Sequence, residues 1–245
     1  MPAFALPAVV GHRGAAAYAP ENTLEGIREA KRRGARWVEV DAKLTADGVV
    51  VLMHDDTLDR TTNGRGPVAA AAYAGIAALD AGAWFAPAWQ GARVPTLAAA
   101  LALLAELDMG INIEIKPCPG RDRETAEAVV GVVRRDQVPG RPAPLLSSFS
   151  RDSLAAARDS GQELPRALLI WEYPADWAAA AADLGCVSLH CADEYLTPDW
   201  AAAIRAADYG LAVYTVNDPA RARELHGWGV HSIITDRPDA LLAAL

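Results

Sequence analysis

Short apolar segments rich in β-branched residues alternate with alanine-rich helical segments along the whole chain. This alternation is typical of repeated strand–helix units whose strands form a parallel sheet. The predicted strands cover residues 9–13, 37–42, 111–116, 145–149, 167–171, 186–190, 211–216 and 232–235. The predicted helices cover residues 23–33, 97–107, 123–136, 152–160, 175–184, 199–207, 220–228 and 239–245.

Eight strands of this kind predict an α/β fold, a closed (β/α)8 TIM barrel that forms one domain over residues 1–245. The length is ordinary for such a barrel. The alternative is a doubly wound open sheet, which usually carries an early Gly-x-Gly-x-x-Gly phosphate loop. No such loop follows the first predicted strand, so the sequence favours the barrel.

A hairpin signal follows the second predicted strand. Asp47-Gly48 stands between two apolar, β-branched stretches, which is a strong indication of an antiparallel turn. If Asp47 and Gly48 are the two loop residues, His54 lies opposite Asp41 and projects to the same face. Glu39 shares that face because side chains alternate along a strand. The hairpin alone would therefore gather one histidine and two carboxylates.

Residues 55–95 interrupt the alternation of strands and helices. This segment is rich in Gly, Pro and Ala and contains aromatic residues at Tyr73, Trp84, Phe85 and Trp89. We expect a small inserted subdomain after strand 2, placed as a cap over the barrel mouth.

Charged residues stand at the carboxyl ends of the first three predicted strands, where barrel enzymes have their active sites. These residues are His12, Arg13, Glu39, Asp41, Glu114 and Lys116. Buried unpaired charges are costly and three converging carboxylates repel one another, so a divalent cation would resolve both costs. Hard oxygen ligands favour Mg or Ca over Zn. Taken singly, each of four residues could instead form a structural ion pair, but as a set they favour a metal site: Glu39, Asp41, Glu114 and Lys116.

Other polar residues have simpler interpretations. His12 taken alone would be a core histidine, and we assign Asn22 and Thr23 mainly to capping of the following helix, with Glu21 left open. His190 ends the sixth predicted strand and is therefore a candidate for the site. Tyr214 and Trp171 belong more often to a core, although either could line the mouth of a barrel.

Composition limits the partners and the compartment. The chain has 31 acidic and 23 basic side chains and no lysine-rich run, which disfavours a nucleic-acid partner. Three cysteines without metal-ligand spacing fit a reducing compartment. The first ten residues lack the features of a signal peptide, and no apolar run reaches membrane-spanning length. We expect a cytoplasmic protein without membrane insertion, and a homodimer is one option for its oligomeric state.

Nine motifs, in order, resemble those of the glycerophosphodiester phosphodiesterase family over nearly the whole chain. They are Gly11-His12-Arg13-Gly14, Pro20-Glu21-Asn22-Thr23, Glu39-Val40-Asp41, Asp47-Gly48, residues 54–62, Glu114-Ile115-Lys116, Ser147-Ser148-Phe149, Thr215-Val216-Asn217-Asp218 and residues 234–238. The middle of the chain, residues 79–85 and 94–97, resembles the short cytoplasmic bacterial members.

The resemblance implies a barrel with an inserted subdomain and a role for most of the candidate residues. It implies an acid–base pair of His12 and His54, metal ligands Glu39, Asp41 and Glu114, phosphate contacts by Arg13 and Lys116, and a substrate-facing position for Tyr214, where many members carry tryptophan. His190 is added as a substrate contact on its position at a strand end.

The expected activity is metal-dependent hydrolysis of a small glycerophosphodiester, such as glycerophosphocholine or glycerophosphoethanolamine, to glycerol 3-phosphate and an alcohol. One Mg or Ca ion is the expected cofactor, with His54 as base and His12 as acid. The attacking oxygen is either water or the neighbouring glycerol hydroxyl. One alternative is a phosphodiesterase for lysophospholipid or sphingolipid headgroups, and another is a non-catalytic glycerophosphodiester-binding barrel.

Overall fold

The structure is a computed structural model that describes residues 6–138 and 140–245. Residues 1–5, which begin the segment predicted not to be a signal peptide, lie outside the described residues. Within the described part of the chain, no helix is both long enough and apolar enough to cross a membrane. The three cysteines, at positions 118, 186 and 191, are buried and unpaired.

Eight parallel strands form a closed ring, because the first strand pairs with both the second and the last. The described residues contain these eight strands and one further strand: β1 (Val9–His12), β2 (Trp37–Leu44), β3 (Val50–Leu52), β4 (Gly110–Ile115), β5 (Leu145–Ser148), β6 (Arg166–Ile170), β7 (Ser188–Ala192), β8 (Gly210–Tyr214) and β9 (Ser232–Thr235). Strand β3 lies outside the ring and pairs antiparallel with β2. The predicted (β/α)8 barrel is confirmed.

Helices surround the ring. They are α1 (Leu24–Arg32), α2 (Tyr73–Ile76), α3 (Leu97–Leu107), α4 (Asp122–Asp136), α5 (Arg151–Ser160), α6 (Trp177–Asp183), α7 (Pro198–Ala206), α8 (Pro219–Gly227) and α9 (Pro238–Leu242). Several begin at a hydroxyl or carboxylate cap; Thr23, for example, accepts a hydrogen bond from the backbone N–H of Gly26 at 3.0 Å. All eight predicted helices are present. Helix α2 was not predicted and belongs to the inserted segment.

The alternation of side chains along β2 separates the core from the site. Val38 and Val40 point outward and pack in the large apolar cluster between the strands and the helices. Glu39 and Asp41 therefore point into the barrel, although both are buried. Burial of carboxylates at the carboxyl ends of the strands requires compensating positive charge, and Arg13 and Lys116 supply part of it.

The hairpin forms, but its predicted register is wrong. Lys43 pairs with Val51, so Asp41 lies opposite Met53 rather than His54. The loop has one residue more than predicted, with Gly48 in the left-handed region at φ +78°. A three-residue loop with glycine in this conformation is a common hairpin connection. His54 reaches the site because β3 ends at Leu52 and the chain then turns.

Residues 55–95 form the inserted segment, which contains α2 and two short 3-10 turns at Val68–Ala70 and Pro87–Trp89. The segment has its own apolar cluster, which includes Leu58, Val68 and Ile76 and extends onto β3. Arg60 links it to the loop after β1 through two hydrogen bonds to Glu21, each 2.8 Å long. The segment is thereby tied to the mouth of the barrel.

Candidate active site

The carboxyl ends of the barrel strands surround a cavity of about 180 Å³, which we call the central cavity. Seven of the nine predicted site residues line it, namely His12, Arg13, Glu39, His54, Glu114, Lys116 and Tyr214. Asp41 lies directly behind this lining, because it is buried and contacts both cations of the cavity. His190 does not line the cavity.

Glu39, Asp41 and Glu114 form the carboxylate cluster, in which one oxygen from each residue lies within 4.8 Å of the others. Strand pairing explains the cluster, since Asp41 of β2 lies beside Glu114 of β4. Burial, reinforced by the neighbouring carboxylates, raises the pKa of Glu39 well above its usual range and that of Glu114 to about 7. Two of the three carboxylates therefore require additional positive charge to ionise fully at neutral pH.

Two cations flank the carboxylate cluster. The Nε atom of Arg13 lies 3.2 Å from the Oδ2 atom of Asp41, and the Nζ atom of Lys116 lies 3.0 Å from the Oε1 atom of Glu114. Burial would raise the pKa of Asp41, but the charges of Arg13 and Lys116 lower it to about 2. Asp41 is thus held ionised, and both cations remain charged beside the cavity.

The donor atoms of the cluster fit a divalent cation. The Oε1 atom of Glu39 is buried and has no hydrogen-bond partner among the described residues, so it is free to act as a ligand. All three groups offer hard oxygen atoms, which suit Mg²⁺ or Ca²⁺. A cation placed among them would also supply the positive charge that Glu39 and Glu114 require.

His12 is held by a carboxylate on the far side of its ring. Its Nδ1 atom lies 2.6 Å from the Oδ1 atom of Asp236, which follows β9. Asn217 fixes that carboxylate by donating from Nδ2 to Asp236 Oδ2 at 2.7 Å and accepting from the Asp236 backbone N–H at 2.8 Å. The arrangement leaves the Nε2 atom of His12 on the side of Glu39, 4.0 Å from its Oε2 atom.

His54 has the same kind of support. Its Nδ1 atom lies 2.7 Å from the Oδ1 atom of Asp55, whose other oxygen accepts a hydrogen bond from the Nε atom of Arg60 at 2.7 Å. Burial lowers the pKa of His54, so the ring is neutral near pH 7. A neutral imidazole with its Nδ1 atom held by a carboxylate can accept a proton at Nε2.

Asn22 corrects an expectation. Thr23 caps α1 as predicted, but the side chain of Asn22 faces Asp41 instead. Its Nδ2 atom donates to Asp41 Oδ2 at 2.7 Å, and its Oδ1 atom accepts from the Asp41 backbone N–H at 3.1 Å. Asn22 has φ +56°, a conformation that asparagine tolerates better than most residues. The residue therefore positions a member of the carboxylate cluster.

His190 also differs from the expectation. Strand β7 begins and ends two residues later than predicted, so His190 lies in its middle rather than at its end. The ring is fully buried, and neither nitrogen has a hydrogen-bond partner among the described residues. Burial lowers the pKa of His190 to about 3. His190 was predicted to contact the substrate because of a position at a strand end, and it does not occupy such a position.

Sequence reasoning missed several residues of the site. Asp236, Asn217 and Asp55 position the two histidines, although all three belong to motifs of the family resemblance. Asp236 follows directly on the last strand, so the strand-end criterion applied to β1, β2 and β4 would have found it. Asn112 lines the central cavity with both polar side-chain atoms buried and without a partner among the described residues.

Comparison with known proteins agrees with this geometry. The sequence model of the glycerophosphoryl diester phosphodiesterase family matches residues 12–240. A glycerophosphodiester phosphodiesterase of Caldanaerobacter subterraneus is 32% identical over 238 residues, which cover 96% of each chain. A glycerophosphodiester phosphodiesterase of Bacillus subtilis is 31% identical and is matched over 94% of this chain and 83% of its own.

Solved structures are similar over almost the full length. A phosphodiesterase of Oleispira antarctica, determined in complex with the product sn-glycerol-3-phosphate, has a TM-score of 0.95 at 35% identity and covers 98% of this chain and 96% of its own. A glycerophosphodiester phosphodiesterase of Agrobacterium tumefaciens has a TM-score of 0.80 at 33% identity, with 97% and 100% coverage.

The fold and the site together define a (β/α)8-barrel hydrolase of phosphoric diesters. The chain belongs to the glycerophosphoryl diester phosphodiesterase family.

Proposed function

We propose that this protein hydrolyses small glycerophosphodiesters to glycerol 3-phosphate and an alcohol, with His12 and His54 as the acid–base pair and a divalent cation at the carboxylate cluster. One observation carries the proposal: both histidines open onto the same cavity, and each has a carboxylate on its Nδ1 atom. Two such groups on opposite sides of a phosphate can remove one proton and deliver another.

The phosphodiester is placed by positive charge. Arg13 and Lys116 line the central cavity beside the carboxylate cluster, where they can contact the non-bridging phosphate oxygens. These contacts offset the negative charge that builds up on those oxygens in the transition state. A divalent cation held by Glu39, Asp41 and Glu114 would add Lewis-acid stabilisation of the same charge.

The two histidines divide the proton transfers. The lowered pKa of His54 suits it to remove the proton from the attacking oxygen, which is water or the neighbouring glycerol hydroxyl. Attack by the glycerol hydroxyl forms a cyclic phosphate, which water then opens to glycerol 3-phosphate. As the bond between phosphorus and the alcohol oxygen breaks, protonated His12 donates its proton to that oxygen. Asp236 holds the ring in position and places negative charge beside it.

The glycerol part of the substrate is proposed to lie against Asn112 in the central cavity. The amide of Asn112 is available there for a hydroxyl group, because its donor and acceptor have no partner among the described residues. The product complex of the Oleispira antarctica relative supports a glycerol 3-phosphate product. Three buried, unpaired cysteines support a cytoplasmic location as part of the proposal.

A coupled assay for glycerol 3-phosphate tests the proposal. Purified protein is incubated with glycerophosphocholine or glycerophosphoethanolamine after chelation, and again after addition of Mg²⁺ or Ca²⁺. We expect no release without a cation and recovery with one. Full activity after exhaustive chelation contradicts the metal assignment, whereas a strong preference for long-chain lysophospholipids contradicts the proposed substrate class. A substrate without the glycerol 2-hydroxyl separates the two nucleophiles, because only direct attack by water would hydrolyse it.

A further inference from the structure

The central cavity adjoins a second depression, which we call the side cavity. The side cavity has a volume of about 370 Å³. Its lining consists of Trp171, Ala192, Asp193, Glu194, Tyr214 and Thr215. Trp171, Tyr214 and Thr215 line the central cavity as well, so the two cavities are immediate neighbours.

Aromatic rings form the wall shared by the two cavities. Trp171 is 53% exposed, which is unusual for so large an apolar side chain, and its ring packs against that of Tyr195 with centroids 6.1 Å apart. The hydroxyl of Tyr214 donates to the carbonyl oxygen of Ile170 at 2.9 Å, which fixes the second ring. Rigid, accessible aromatic rings are suited to binding an organic cation through the ring faces.

The charged groups differ between the two cavities. The central cavity contains the cations Arg13 and Lys116 together with the carboxylate cluster, whereas the side cavity is lined by two carboxylates and no basic residue. Asp193 is paired with the Nε atom of Arg221 at 2.8 Å. Glu194 is exposed and has no ion-pair partner among residues 6–138 and 140–245, so its charge is available to a ligand.

Glu194 and Tyr214 line the same cavity. A cationic group that lies against the ring of Tyr214 in the side cavity therefore shares that cavity with the carboxylate of Glu194.

We propose that the side cavity is the subsite for the leaving alcohol and that it selects alcohols carrying an ammonium group, with Trp171 as the aromatic contact and Glu194 as the counter-charge. The inference rests on the proposed function, which places the phosphate beside Arg13 and Lys116. In a diester of such an alcohol, the negative phosphate lies beside these two cations and the positive alcohol lies beside the carboxylate of Glu194. Neutral alcohols of the same shape lack this pairing of charges.

A pair of isosteric substrates tests the subsite. Glycerophosphocholine is compared with the diester in which 3,3-dimethylbutanol replaces choline, so that an uncharged carbon replaces the ammonium nitrogen and the shape is retained. We expect kcat/KM to be ~10-fold higher for the choline diester, the size of effect of one favourable cation–π contact with a counter-charge.

Two variants assign the preference to residues. Trp171→Leu and Glu194→Gln should each reduce the ratio of the two kcat/KM values roughly 3-fold or more. Glu106→Gln, which changes an exposed glutamate on α3, serves as the matched control and should leave the ratio unchanged. Because Trp171 and Glu194 are exposed, these substitutions remove little packing.

The outcomes separate this inference from the proposed function. Equal hydrolysis of both diesters by the wild-type protein, or a ratio that neither variant changes, overturns the cationic subsite while glycerophosphodiester hydrolysis stands. Failure to release glycerol 3-phosphate from either diester in the presence of Mg²⁺ or Ca²⁺ overturns the proposed function, and the subsite with it.

Discussion

The Nδ1 atom of His12 lies 2.6 Å from the Oδ1 atom of Asp236, although 224 residues separate the two in the chain. His12 ends β1 and Asp236 follows β9, and the pairing of these two strands closes the ring. Barrel closure therefore assembles the histidine with its positioning carboxylate. Catalysis by His12 is expected to depend on a contact that exists only in the fully closed barrel.

Replacement of Asp236 tests this dependence. Asp236→Asn keeps the shape of the side chain but removes the charge beside His12, so we expect kcat to fall ~10- to 100-fold with a smaller change in KM. The pH profile of kcat should also shift, which a purely structural role would not cause. Asp199→Asn, at an exposed position in the first turn of α7, is the control. Unchanged kcat in the Asp236 variant would remove it from the mechanism.

The histidines themselves should be needed individually. His12→Ala and His54→Ala should each lower kcat/KM for a glycerophosphodiester by roughly 10²- to 10⁴-fold. Both rings are only partly buried, so unfolding by urea should change little. His226→Ala, at an exposed position near the end of α8, should retain full activity. Normal turnover by either active-site variant would contradict the two-histidine mechanism.

The carboxylate cluster should be a source of instability when no cation is bound. Glu39 is buried beside two other carboxylates, and its Oε1 atom has no partner among the described residues. Glu39→Gln should therefore raise the free energy of unfolding by about 1–3 kcal/mol in chelator at pH 8. The same variant should lose at least ~100-fold in cation-supported kcat/KM. Urea unfolding and calorimetric titration with Mg²⁺ or Ca²⁺ measure the two effects, and a destabilised variant in chelator would contradict the electrostatic account.

The sequence was sufficient to predict most residues that line the site, but not the residues that hold them in position. Strand alternation and the position of strand ends were sufficient to place Glu39, Glu114 and Lys116 at one cavity. The contact of Asp236 with His12 could not be derived from local pattern, because it depends on how the two ends of the barrel meet. Asn22 was assigned to helix capping because asparagine is common at the start of a helix. Its contact with Asp41 depends on the tertiary structure.

The hairpin was predicted to bring His54 near the carboxylates of β2. It does so, although the predicted register is wrong. Asp47-Gly48 predicted a two-residue loop, but the loop contains one residue more and Gly48 alone adopts a positive φ. Gly48→Ala should destabilise the protein by about 1 kcal/mol, because alanine is strained at φ +78°. Gly75→Ala, within α2, should be neutral or stabilising, since the added methyl group meets nothing within 4 Å. Equal urea midpoints for the two variants would contradict the turn geometry.

His190 should make the stability of the protein sensitive to acid. Its folded-state pKa of about 3 lies below the value of an unfolded histidine, because the ring is buried. The unfolded chain therefore binds a proton that the folded chain does not. The stability contributed by the neutral ring is fully present above about pH 6.5 and is lost as the pH falls toward 3.

Comparison of two proteins isolates this effect from the other titrating groups. Between pH 7 and pH 4 the wild-type free energy of unfolding should fall by about 3 kcal/mol more than that of His190→Leu, which cannot take up the proton. Urea unfolding at each pH provides the measurement. KM for a glycerophosphodiester at pH 7 should be the same in both proteins, because His190 does not line the central cavity. Parallel stability curves would mean that the ring takes up a proton in the folded state as readily as in the unfolded chain, whereas a raised KM would return His190 to the substrate contacts.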